Sequence, residues 1–309
     1  MSLSSHCSEK GCEPAALYVT IQNYCKRCRP LHKHQHQLFW DLLLVLRGGR
    51  PAMLLDYAMA PASVLEGLLQ AVQSSTGISC AILSWGTSCH LLCNLKVLLG
   101  SLQSVRDWAS TSLDTGEKCP VLLLGFKGTS AEEMSATSPS LLTPSRLSQL
   151  ECKEILCALK PLEDELLKLQ QLGQKLSKSV LCLDLERVED LPLMPTLNGL
   201  LLGYPVVYVV GHGSSSNDAG GSGFPCTAKD MNGRKEDMVT LCAFSLPTSF
   251  LSIPEELVCQ TFECKQHQAA VSHYVGEWKS RIQSAMTGHG WGTQISWKRE
   301  DMGIQPVSL

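Results

Sequence analysis

The stretch "ISCAILSWGTSCHLLCNL", Ile78–Leu95, decides the fold. Two short apolar runs flank Trp85-Gly86-Thr87-Ser88, and glycine supplies the positive φ that a tight turn needs. The pattern predicts a β-hairpin. Working back from it, "APASVLEGLLQAVQSS" carries Leu65, Leu68, Leu69 and Val72 on one helical face. "PAMLLDY" is a short apolar run ending at Asp56, expected to be a buried strand. "HQLFWDLLLVLRGG" has helical spacing closed by Gly48-Gly49, a C-terminal stop.

Working forward, "KVLLGSLQSVRDWAS" continues as a helix and "CPVLLLGF" as a strand, with loop-like sequence over 127–145. A helical region spans Arg146 to Ser177. Pro161 should split it, because proline removes a backbone donor and clashes with the preceding turn. Leucines at 162, 166, 169, 172 and 176 form a stripe expected to face the chain's own core. "SVLCLDL" and "PVVYVV" are strand candidates, with "LPLMPTLNGLLLG" between them. "GLLLGYPVVYVVG", Gly199–Gly211, contains Pro205 and falls short of the about 20 apolar residues of a spanning helix. It is expected to be a helix end followed by a buried strand.

Residues 211–237 read as a disordered insertion, rich in Gly, Ser, Asn and Asp without periodicity. "MVTLCAFSLP" is the last strand candidate. Ser252 and Glu255 form a capping box for a last helix running toward Ser284. Helices and strands alternate around one hairpin. That pattern predicts an α+β (or α/β) fold: a single domain over 37–284 with one mixed β-sheet covered by helices. The sheet should contain 51–56, 79–84, 89–94, 119–125, 179–184, 205–210 and 238–246. Residues 1–36 are expected to be a basic, Cys/His-rich disordered arm and 285–309 a disordered tail.

Composition agrees with a globular protein: 309 residues, 44% hydrophobic and 18% charged. A net charge of -3 and a pI near 6.3 give no global reason to expect nucleic acid or an anionic membrane as partner. Locally, Lys26, Arg27, Arg29 and Lys33 make the arm basic, a pattern that usually marks a solvated segment. The first thirty residues lack the apolar core of a secretion signal, so the expected location is intracellular, cytoplasmic by default. Fifteen cysteines are then expected to be reduced. Cys80, Cys93, Cys182 and Cys242 sit in apolar runs, where cysteine behaves as a small hydrophobe.

"LFWDLLLVLRGGRPAMLLDY", "CHLLCNL" and "LPLMPTLNGLLLGYPVVYVV" resemble an uncharacterised animal family that includes a human chromosome-one open-reading-frame product. The resemblance covers roughly residues 36–283, leaving the arm and the tail outside. It implies a globular domain and brings no activity, cofactor or catalytic residue.

Three constellations carry chemistry if any do. The arm reads C-x4-C-x12-C-x2-C-x3-H, so Cys7, Cys12, Cys25, Cys28 and His32 are zinc candidates. Zinc takes about four thiolate or imidazole ligands, in pairs close enough for one turn to present both. The arm has few apolar residues for a mini-core, which favours a metal-free segment. His212 in "GHG" after a strand, with Cys242 on a later strand, follows the order of caspase-like proteases without their cysteine turn. Asp56 and Asp184 end apolar runs, where α/β folds place functional carboxylates. On neighbouring strands they would share a metal or do acid/base work; otherwise each caps a turn. No phosphate-binding glycine loop and no G-x-S-x-G elbow is present. The leading expectation is therefore a non-catalytic protein acting through protein interactions, with no cofactor unless the arm holds zinc. The alternative is a hydrolase using His212/Cys242 or Asp56/Asp184.

Overall fold

The computed structural model describes residues 13–56, 58–86, 89–110, 119–126, 144–175, 180–209 and 262–287. Nine α-helices appear among them. They are α1 Pro14–Cys25, α2 Arg29–His32, α3 Gln35–Leu46, α4 Ala62–Thr76, α5 Leu95–Ser110, α6 Gln149–Cys157, α7 Lys160–Lys175, α8 Met194–Leu201 and α9 Phe262–Thr287. The strands are β1 Ala52–Leu54, β2 Cys80–Trp85, β3 Cys89–Asn94, β4 Leu122–Phe126, β5 Pro144–Arg146, β6 Leu181–Asp184 and β7 Val206–Val209. The class is α+β. The chain divides into two compact units, one from residues up to Leu99 with Asp164–Val188, the other from Gly100–Glu163 with the residues from Glu189.

The first unit holds a mixed sheet in the order β1-β3-β2-β6. β2 and β3 form the expected antiparallel hairpin, Trp85 opposite Cys89 and Cys80 opposite Asn94. Gly86 enters the turn at φ 62°, the left-handed region that glycine reaches most cheaply. β1 lies antiparallel on the far side of β3, and β6 lies parallel to β2. Ala81, Ile82, Leu83, Leu91 and Leu92 are fully buried, so both faces of the central hairpin are covered.

Around this sheet, side chains tie the helices at their ends. Asn94 Oδ1 accepts the Val97 N–H in the first turn of α5 at 3.3 Å. Its Nδ2 donates to the Val45 and Leu46 carbonyls at 3.5 and 3.4 Å, serving the end of α3. Asp41 and Arg50 form a buried ion pair, and Gln37 donates a further hydrogen bond to Asp41 at 2.9 Å.

The first correction concerns the arm. From Pro14 onward the segment expected to be disordered is helical and packed. Leu17, Ile21 and Cys25 recur every four residues on one face of α1, and all three are fully buried. Tyr18 meets Phe39 edge-to-face with ring centroids 5.2 Å apart. Tyr24 lies over Gly67 of α4, where a Cβ would collide with its hydroxyl, and donates to the Val64 carbonyl at 2.7 Å. The arm's few apolar residues suffice because they join an existing core and need not build one of their own.

The second unit carries a separate sheet, ordered β5-β4-β7, with β4 antiparallel to β5 and parallel to β7. This is the second correction. Six of the seven expected segments are strands, but they divide between two sheets; the seventh, 238–246, lies outside the described residues. Pairing between distant segments leaves no local signature, so periodicity finds strands without finding their partners. β5 falls where the end of a loop is expected, and its Pro144 is tolerable because β5 is an edge strand. In α9, Tyr274, Trp278, Ile282 and Met286 form a buried stripe at four-residue spacing. Tyr274 packs on Leu122, Leu124 and Val206 and donates to the Cys119 carbonyl at 2.6 Å. Buried Glu163 pairs with Arg106 at 2.7 Å.

The break expected at Pro161 falls at Ala158–Leu159, with Pro161 in the first turn of α7. Leu162 and Leu166 of the leucine stripe are buried, while Leu172 is 47% exposed. α8 followed by β7 matches the reading of Gly199 onward, and no helix among the described residues is long and apolar enough to cross a membrane. The insertion 211–237 and the Ser252 cap lie outside the described residues.

Candidate functional site

Asp56 and Asp184 do not come together. Their strands are the two edges of the first sheet, with β3 and β2 between them. Three strand spacings amount to about 14 Å, too far for a shared metal or proton. Asp184 instead caps the 3-10 turn Leu185–Arg187, accepting the Glu186 N–H at 3.1 Å and pairing with Arg187 at 3.2 Å. Asp56 is exposed beside Cys89, whose thiol pKa is raised first by burial and then by this carboxylate.

Of the zinc candidates, Cys25, Cys28 and His32 are among the described residues. Cys25 is fully buried on the inner face of α1, and burial followed by Cys28 pushes its thiol up to about 11. Cys28 is half-buried at the start of α2, and His32 is exposed. Among the described residues no group of three or more His, Cys, Asp or Glu side chains is placed to hold a metal ion. Cys7, Cys12, His212 and Cys242 lie outside the described residues. Cys80 and Cys93 are core residues as expected. Cys182 is not: it lies on an edge strand, is exposed, and donates to Glu66 at 3.4 Å. Partial burial and then Glu66 push its thiol up to about 12.

Two arrangements escape the sequence reading. The first is Ser84 and His90, directly opposed in the hairpin, with Oγ 2.9 Å from Nδ1. His90 is 3% exposed, and its Nε2 is buried without a hydrogen-bond partner. On the other side of Ser84 the register places Asp184. A nucleophilic relay needs the carboxylate behind the imidazole and the serine free at the end. Here the serine stands in the middle, so the row is a polar cross-strand contact and not a charge-relay arrangement.

The second is the turn from α1 into α2. The N–H groups of Lys26, Arg27 and Cys28 donate to the Gln22, Tyr24 and Cys25 carbonyls, each at 3.0 Å. Leu31 and His34 continue the pattern to Cys28 and Leu31 at 3.1 and 3.0 Å. Cys25 before the turn and Leu31 within it are fully buried, so the backbone between them is anchored at both ends. Lys26, Arg27, Arg29, His32 and Lys33 all remain exposed and line one open cavity of about 350 Å³. No ion pair among the described residues involves any of the five. Like charges clustered at one surface favour an anion there.

Fold and site together define an α+β domain with an open basic surface at the turn from α1 into α2. The chain belongs to the family of the domain of unknown function DUF4504, whose family model matches residues 21–287. The match starts at Ile21, within α1, so the basic turn lies inside the family domain. No curated protein and no solved structure matches the chain significantly.

Proposed function

We propose that this protein works by binding and not by catalysis, docking an acidic segment of a partner protein on the Lys26–Lys33 turn. The carrying observation is the set of five basic side chains around one cavity, with no carboxylate pairing among the described residues. Four of the five are formally charged, on a chain whose net charge is -3, so the positive potential is local. As a solvated arm these charges would be dispersed. The backbone that carries Lys26, Arg27 and Arg29 is held between buried Cys25 and Leu31, which lowers the backbone ordering cost of binding. A protein partner is favoured over nucleic acid because no Phe, Tyr or Trp lies between Lys26 and Lys33 to stack a base.

The test uses the full chain and a labelled Glu-rich peptide. Lys26→Gln/Arg27→Gln/Arg29→Gln/Lys33→Gln removes four screened contacts, together about 2 kcal/mol or roughly thirtyfold in affinity. All four side chains are exposed, so the melting temperature should hold. An unchanged affinity with an unchanged melting temperature rejects the reading.

A further inference from the structure

We infer that the group this cavity takes is a phosphate monoester on a serine or threonine of the partner protein. The inference rests on the binding reading above and narrows it from acidic to phosphorylated.

The five side chains line one open cavity. A ligand that matches them carries its charge at one point. A glutamate brings a single negative charge and two acceptor oxygens. A phosphate monoester brings a charge of about -1.5 to -2 and three strong acceptor oxygens. Arg27 and Arg29 are guanidinium forks, which bind such oxygens in pairs, while Lys26 and Lys33 add point charges and His32 adds a ring N–H. Nothing among the described residues already neutralises this set.

The surroundings favour a peptide as the carrier of the phosphate. Lipid attachment draws on exposed apolar residues as well as charge. Between Lys26 and Lys33 the only large apolar side chain is Leu31, which is fully buried. A single open site also suits one phosphate better than the repeating backbone of a nucleic acid, which calls for an extended groove.

The experiment measures binding of the full chain to two labelled peptides of one sequence, one with phosphoserine and one with glutamate at the same position. Vesicles containing a phosphoinositide and a single-stranded RNA are run beside them. The phosphopeptide should bind about tenfold more tightly than its glutamate twin. Arg27→Lys/Arg29→Lys, which keeps the charge and removes the forks, should lower the phosphopeptide's affinity more than the glutamate peptide's and so shrink that preference. Equal affinity for both peptides overturns the phosphate inference and leaves the binding reading standing. Binding of neither peptide overturns both. Capture of vesicles or RNA without the phosphopeptide, lost in the double variant, assigns the cavity to another ligand and overturns the inference.

Discussion

Ser84 and His90 stand opposite each other across the β2–β3 ladder, joined by a 2.9 Å hydrogen bond between Oγ and Nδ1. The contact is buried on the histidine side, with His90 only 3% exposed. It gives one polar row in a largely apolar hairpin and helps fix the register, since a one-residue slip of either strand would put the two side chains on opposite faces.

Removing one partner of this pair should cost more than removing both. Ser84→Ala leaves the imidazole with neither nitrogen bonded, a penalty of about 1–3 kcal/mol. Ser84→Ala combined with His90→Leu should lie closer to wild type than either single change predicts. Urea unfolding of the four proteins measures the coupling. Simple additivity would show that the hydrogen bond carries no stability.

Asn94 joins the sheet to two helices, and its two ends do different work. Asn94→Ala loses the cap of α5 and strands the end carbonyls of α3, costing about 2–3 kcal/mol. Asn94→Asp keeps the capping oxygen but turns a second oxygen toward those carbonyls. It should therefore rescue little of the loss, and a fully stable aspartate variant would contradict the double role.

Much of the fold was legible because its signals are local. Gly86 between two apolar runs marks the hairpin, and Pro161 marks the break between α6 and α7. The division into two sheets was not legible, since β4 finds β7 across about eighty residues of intervening chain with no local cue. The Ser84–His90 contact was accessible in principle: with Trp85 opposite Cys89, the next pair outward is 84 and 90. The N-terminal helix was hidden by its cysteines. Cys25 serves α1 as an apolar residue, yet the same residue suggests a zinc ligand beside Cys28. The charges of the basic turn are plain in the sequence. Their grouping at one cavity is not, because it depends on the chain turning between two anchored helices.

That account of Cys25 has its own test. A thiol held near 11 stays protonated at neutral pH, so Cys25 should resist iodoacetamide while exposed Cys157 reacts. The folded thiol keeps its proton to about 11, whereas the ordinary value is 9.0. Its contribution to stability is thus complete below pH 9 and declines as pH rises through 9–11. Cys25→Ser should destabilise by about 1–3 kcal/mol through a hydroxyl placed in the core, with no change in bound zinc. Loss of one equivalent of zinc in that variant would restore the metal reading.

The central claim is that the Lys26–Lys33 turn is where this protein meets an acidic partner, and zero-length cross-linking locates that contact most directly. Carbodiimide joins a carboxylate only to an amine it touches, so a bound Glu-rich peptide marks the lysines of its site. The predicted result is cross-links at Lys26 and Lys33 of the full chain, reduced about fivefold at subsaturating peptide when Arg27 and Arg29 are changed to glutamine. Cross-links confined to lysines elsewhere, such as Lys160 or Lys168, or undiminished at Lys26 and Lys33 in that variant, would contradict it.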